Sequence, residues 1–272
     1  AMGYISLAGA AGWVGNAAEA AEILRKLGVL EAAIGIEHAT PMAIESDATA
    51  AQQLGQFSRA IDLEQRAYAM LRSSSHGVAE EVSVLFNVAA AYELAGDSPN
   101  MLVYNEKRLA MMPEEPALER AYVMENIGVA HSRMGHAAPA IDWLTKAVAL
   151  YTKLGKPADP QNAKIGLASA YVQAGRLHDA RVLSEKLLPE IIATEPPRPW
   201  RRATTELSLA RSLWEEGDAH ERAHALVIAA DAERDFVDAI DQLSKIPMAN
   251  ASVAILQVRL ADLRAWRAKH PG

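Results

Sequence analysis

The sequence predicts an all-α solenoid, and three observations carry the prediction. Glycines recur at Gly15, Gly55, Gly96, Gly135, Gly175 and Gly217, at intervals of 40, 41, 39, 40 and 42 residues. Seven residues before each stands a small one: Ala8, Ala48, Ala89, Gly128, Ala168 and Ala210. Five after the first five glycines stand Ala20, Ala60, Met101, Ala140 and Ala180. Half the residues are hydrophobic but only 6% are aromatic, a balance that suits close-packed helices better than sheets. A fixed helical period of this length means stacked helix–turn–helix units, each burying its apolar face against its neighbours.

The elements follow from this period. The clearest unit runs from Met124 to Leu150, two helices joined at Gly135. Before it, a linker over Leu30–Ala39 ends in Thr40-Pro41, a helix start. One helix is expected through Gln53 and its partner from Phe57 to Arg72, with Ser73–Gly77 as a breaker. Helices over Val82–Leu94 and Asn100–Met112 follow, stopped by Pro113 and Pro116. After the Gly135 unit come a loop at Gly155–Pro160 and helices over Gln161–Ala174 and Leu177–Leu188. The proline-rich Glu195–Arg202 is a semi-rigid spacer, because the period carries through it. The sixth pair spans Arg202–Glu216 and Ala219–Lys245, and Pro247 ends it. Ser252 starts a last helix to Lys269, with Val253, Leu256, Leu260 and Leu263 on one face and Gln257, Arg259, Asp262 and Arg264 elsewhere. A one-sided helix at the end of an array is a capping element. The chain is thus expected to be a single solenoid, residues 1–272. Its repeats fall roughly at 1–39, 40–77, 78–116, 117–157, 158–198 and 199–246, with a capping helix at 252–269.

Composition excludes several classes. A net charge of −7 argues against nucleic acid or an anionic membrane as partner, since both need a basic footprint. The absence of cysteine removes disulfides, thiolate metal sites and a thiol nucleophile. No apolar run approaches the ~20 residues of a membrane span. No signal peptide is visible, so the cytoplasm is the expected location. Ala1-Met2 resembles an expression scar, which would make the chain a piece of a longer protein.

The repeat residues resemble the tetratricopeptide (TPR) family over essentially the whole chain. Leu167-Ala168, Tyr171, Gly175, Leu177 and Ala180 match its repeat positions in order, and Pro113 matches its terminal proline. The spacing near forty resembles the kinesin-light-chain type. The resemblance implies a right-handed superhelix whose first helices line a concave face. Departures occur at Asp47, in place of an apolar residue, at Met101, in place of alanine, and in the sixth repeat, where Ala223 stands six residues after its glycine. Within the family, Thr205–Glu233 and Leu263–Gly272 are similar to the TPR tails of bacterial, chiefly myxobacterial, serine/threonine protein kinases. That implies a signalling context with a kinase upstream. The kinase glycine loop, His-Arg-Asp and Asp-Phe-Gly are absent here.

Two catalytic patterns compete with this reading. Gly9, Gly12 and Gly15 resemble the glycine turn of extended short-chain dehydrogenases. No tyrosine is followed by lysine four residues on, and the remainder reads as helix, so the repeat phase is preferred. His220-Glu221-Arg222-Ala223-His224 is H-E-x-x-H, the zinc-protease pattern, with Glu233 or Glu206 as the available third ligand. Its place at a helix start inside the sixth repeat favours a surface segment. His131 and His136 straddle the Gly135 turn and read as one packed and one exposed residue. No catalytic residue, metal or cofactor is expected.

The expected function is recognition of a protein or peptide. Nine residues before their glycines stand Asn87 and Asn126, where the family's asparagine bonds the backbone of an extended peptide. The competing expectation for both is to satisfy neighbouring helix carbonyls. Phe86, Tyr122, Arg133, Arg211 and Trp214 lie near them in phase. The lysines of the family's chaperone-tail clamp are absent, so a C-terminal acidic tail is not the expected ligand. A small-ligand sensor of the kind found in TPR-bearing transcription regulators is the alternative.

Overall fold

The structure, a computed structural model, describes residues 26, 41–73, 77–115, 117–155, 159–194 and 198–270. Among these residues there are α-helices and one short 3-10 turn, and no strand. The described residues fall into two compact units, one up to Met112 together with Ser244–Ser252, the other Pro113–Leu243 with the residues from Val253 on.

The first unit holds α1 (Pro41–Gln53), α2 (Phe57–Arg72), α3 (Val78–Leu94) and α4 (Ser98–Met111), packed as α1 on α2 and α3 on α4. Helix α3 begins earlier than expected, because Glu80 and Glu81 in its first turn complement the positive end of the helix. Helix α4 begins at Ser98 rather than Asn100. Asp97 caps it by accepting the Asn100 N–H at 3.1 Å, and Pro99 lies in the first turn, where its missing N–H costs nothing. The charged replacement at Asp47 is absorbed. Its side chain is buried and accepts from Arg59 at 3.2 Å.

The second unit holds α5 (Leu118–Arg133), α6 (Ala137–Leu154), α7 (Gln161–Gln173), α8 (Leu177–Ile192), α9 (Pro199–Glu216) and α10 (Ala219–Leu243). Most of α11 (Asn250–Lys269), which the turn Pro247–Ala249 launches, belongs here too. Helix α8 runs past its expected stop, because Pro189 falls in its last turn and removes a single backbone donor. The pairs α5–α6, α7–α8 and α9–α10 pack internally, and α5, α7 and α9 also pack side by side. The small residues set this distance. A Cβ on Gly128 would stand 2.6 Å from Leu144 Cγ, and one on Gly166 would stand 3.3 Å from Leu144 Cδ1. Leu256, Leu260 and Leu263 of α11 close the apolar core formed by Leu209, Leu213, Ile228 and Phe236.

Four turns share one geometry. Gly55, Gly96, Gly135 and Gly175 have φ of 71, 76, 78 and 71°. After each, the next N–H reaches back five residues, as in His136 to the His131 carbonyl at 2.9 Å. This is the glycine-ended helix stop that satisfies the last carbonyls. The turn at Gly217 is different, contrary to the uniform period. Its φ is −84° and its N–H bonds the Leu213 carbonyl at 2.9 Å, so α9 simply continues to its end. Asp218 and Glu221 then form a capping box for α10, with Glu221 N–H on Asp218 Oδ1 at 2.9 Å and Asp218 N–H on Glu221 Oε2 at 3.2 Å. That changed turn accounts for the sixth repeat's shifted alanine, Ala223.

Candidate functional site

The side-by-side packing of α5, α7 and α9 makes them one layer of the second unit, and their exposed sides carry the expected recognition residues. Asn126, on α5, is 8% exposed and makes no hydrogen bond among the described residues. One position earlier, Glu125 is buried and accepts the Tyr151 hydroxyl at 2.8 Å. Burial and this carboxylate push the Tyr151 hydroxyl upward, so it stays a donor. Gln173 of α7 donates to Ser132 of α5 at 3.2 Å, fixing the two helices where the layer continues. Tyr122 is exposed one turn before Asn126, and Arg133 is exposed at the end of α5.

The other expected residues are more engaged. Arg211 donates through Nη2 to Asp262 of α11 at 2.7 Å. Trp214 meets Trp266 edge-on at 5.8 Å and His270 at 4.6 Å, so the α9 end of the layer is roofed by α11. In the first unit, Phe86 lies under the Arg108 guanidinium at 4.8 Å. Asn87 is half-buried and, like Asn126, makes no hydrogen bond among the described residues. Neither amide is spent on a helix carbonyl.

Sequence reasoning missed Arg259. It lies on α11, outside the repeat period, one turn before the Asp262 that pairs with Arg211. It is half-buried, and its ionisation is pulled down to about 10 by burial first and then by repulsion from Arg133 and Arg211. The signal was a charge beside the apolar stripe of the last helix, with an acid three residues on.

The rival patterns fare as follows. Gly9, Gly12 and Gly15 lie outside the described residues. His220 and His224 are exposed on the first turns of α10. The glutamate between them belongs to the capping box and also pairs with Arg181 of α8. Glu206 accepts from Arg202 at 2.8 Å, and Glu233 accepts from Arg264 at 2.7 Å and from Arg267, so both acids that could complete a metal site are held by arginines. No group of three metal-ligating side chains occurs among the described residues. His131 is half-buried and His136 is exposed, with their Nδ1 atoms 3.5 Å apart.

The backbone resembles that of several solved proteins. Over 98% of this chain and 75% of the other it matches apo RapI with a TM-score of 0.65 at 14% identity. Over 72% of this chain and 94% of the other it matches TPR-like repeats of a kinesin light chain from Podosopora anserina, with a TM-score of 0.57 at 19% identity. The fold is the TPR-like helical repeat. This TPR-like chain also matches NprR in complex with its cognate peptide NprX, over 98% of this chain and 72% of the other, with a TM-score of 0.60 at 14% identity. No protein-family model matches the chain, and no curated protein matches its sequence. Among the described residues no helix is long and apolar enough to cross a membrane.

Proposed function

We propose that the chain is a non-catalytic recognition module that binds a peptide or protein segment in extended form on the layer of first helices. The observation that carries this reading is Asn126, a residue only 8% exposed whose side-chain amide makes no hydrogen bond among the described residues. Its amide offers one donor and one acceptor group, which a backbone C=O and N–H of a bound peptide would take up. Asn87 offers the same chemistry in the first unit. The peptide complex of NprR, which shares the fold, supports the same class of ligand. Tyr122 and Arg133 would read side chains, because backbone contacts alone carry no sequence preference.

The context we propose is a bacterial cytoplasmic signalling protein such as a serine/threonine kinase. This rests on the resemblance of Thr205–Glu233 and Leu263–Gly272 to the tails of such kinases. The natural gene should encode a kinase domain before this segment, and reading it tests the context separately from the binding activity.

The binding test is a surface of random octapeptides, with affinities of captured peptides then measured by calorimetry. Each lost hydrogen bond should cost about 0.5–1.5 kcal/mol. Asn126→Ala should weaken a true ligand about tenfold with helicity intact. Unchanged affinity would move the site elsewhere, and no captured peptide at all would remove the reading.

A further inference from the structure

The end of α11 lies on the α9 side of the recognition layer without being sealed to it. The buried side chains of this helix are Leu256, Leu260 and Leu263, and from Arg264 to His270 every residue is exposed or half-buried. Leu263 and the Arg211–Asp262 pair at 2.7 Å anchor the helix just before that stretch. Beyond them, two kinds of contact hold it. Glu233 of α10 accepts from Arg264 at 2.7 Å and from Arg267. Trp266 and His270 stand edge-on to Trp214, with ring centroids 5.8 and 4.6 Å away. Ion pairs with partly exposed arginines are weak tethers, because water competes for both partners. A helix end with no buried side chain opens more readily than the packed helix before it. Trp214, in contrast, is fixed. Arg222 of α10 donates through Nε to its carbonyl at 3.0 Å, and the same guanidinium lies 5.8 Å from the centre of its ring. A firmly held indole is thus covered by a loosely held segment.

We propose that Arg264–His270 is a lid over Trp214, and that an aromatic side chain of the bound peptide takes the place Trp266 and His270 now fill. This rests on the recognition reading above and adds a ligand class, an extended peptide bearing an aromatic residue, and a control on its entry. The resident rings show what the indole accepts. An edge-on ring is attracted beyond the area it buries, and a planar side chain loses little freedom on binding. The two lid rings move together, since their centroids are 4.7 Å apart and His270 Nδ1–H donates to the Trp266 carbonyl at 2.7 Å. Reach is sufficient as well. Helices α5, α7 and α9 pack side by side. With axes about 8–10 Å apart, α9 lies roughly 20 Å from α5, which an extended peptide covers in about six residues. One octapeptide can therefore meet Asn126 and Trp214 together. It gains Trp214 only while the lid is open, so a lid open about a tenth of the time weakens binding about tenfold.

The experiment uses the full chain. Amide hydrogen exchange needs no ligand: Arg264–His270 should exchange about tenfold or more faster than Leu256–Leu263, and Glu233→Gln should speed the lid alone. Random octapeptides are then captured on the chain carrying Trp266→Ala with His270→Ala. They should be enriched in Trp, Tyr or Phe and should bind wild type about tenfold more weakly. Glu233→Gln, which leaves all three rings in place, should tighten their binding relative to wild type. Trp214→Leu should capture peptides without aromatic enrichment, and the lid variants should melt as wild type does. Enrichment that persists in Trp214→Leu would overturn the pocket. So would capture without enrichment by the lid variant while Asn126→Ala still weakens binding, which leaves peptide recognition standing. Equal affinity for wild type and the lid variants would overturn the lid, as would exchange in Arg264–His270 as slow as in the helix before it. A lowered melting temperature in Trp266→Ala with His270→Ala would mark those rings as structural and overturn it too. No capture at all would remove both the site and the reading beneath it.

Discussion

Leu144 occupies the space that Gly128 leaves empty, with its Cγ 2.6 Å from where a Gly128 Cβ would be and its backbone N at 3.1 Å. The contact lies inside the α5–α6 pair, so nothing can move without separating the two helices. Gly128→Val should destabilise the protein by about 1–3 kcal/mol, the usual cost of overpacking, despite glycine's poor helix propensity. Gly128→Ala should lose less, since alanine regains about 1 kcal/mol of that propensity. Urea melts that rank valine above wild type would show the helices to be farther apart.

The turn glycines separate strain from contact. Gly135 has φ of 78° with nothing within 4 Å of its absent Cβ, whereas Gly217 has an ordinary φ but would place a Cβ 2.3 Å from the Leu213 carbonyl oxygen. Gly135→Ala should cost about 1–2 kcal/mol through left-handed strain alone. Gly135→Asn should cost less, because asparagine tolerates that region. At Gly217 asparagine should be no better tolerated than alanine. Thermal melts of the four variants decide it, and equal losses for both residues at Gly135 would refute the strain account.

This contrast also marks what the sequence makes legible. Small residues seven before a glycine locate every described pair, because close helix approach is a requirement that few residue types meet. The last turn keeps Ala210 but makes no left-handed stop, and its glycine looks like the others in the sequence. The asparagines and Arg133 follow from phase within the repeat. Arg259 does not, because α11 lies outside the period and its approach to Arg211 depends on how a non-repeating helix packs.

Glu64, on α2, is wholly buried with neither carboxyl oxygen hydrogen-bonded, and burial followed by repulsion from Glu45 pushes it up to about 8. Its folded value lies above its unfolded one near 4.5, so the folded state holds a proton that the unfolded state releases. Stability contributed by this group is greatest below pH 4.5 and is lost as pH rises toward 8. Glu206, pushed up to about 7 mainly by burial, acts in the same direction over a narrower window. Wild type should therefore melt at a lower temperature at pH 9 than at pH 6. Glu64→Gln should flatten much of that difference and gain on the order of 1 kcal/mol or more at pH 9. A melting profile unchanged by the substitution would show that Glu64 is ionised without cost.

The glutamate of His220–His224 has a structural occupation, as the reciprocal half of the capping box and the partner of Arg181. Glu221→Ala should lower the melting temperature, by loss of the reciprocal half of the capping box. Purified protein without a tag should retain no stoichiometric zinc, and His224→Ala should melt as wild type does. Zinc bound one to one and lost in His224→Ala would contradict both expectations.

The Gly175 turn projects into open space, with no atom within 4 Å of its α-carbon substituent, and α7 and α8 on either side of it are held by their own core. Such a tip tolerates inserted chain far better than a packed segment does. Because the protein has no cysteine, a short insert carrying one would also be its sole thiol, open to a single dye. The turn is therefore a natural mounting point for a spectroscopic reporter, placed on the same repeat as Gln173 and leaving every recognition residue untouched.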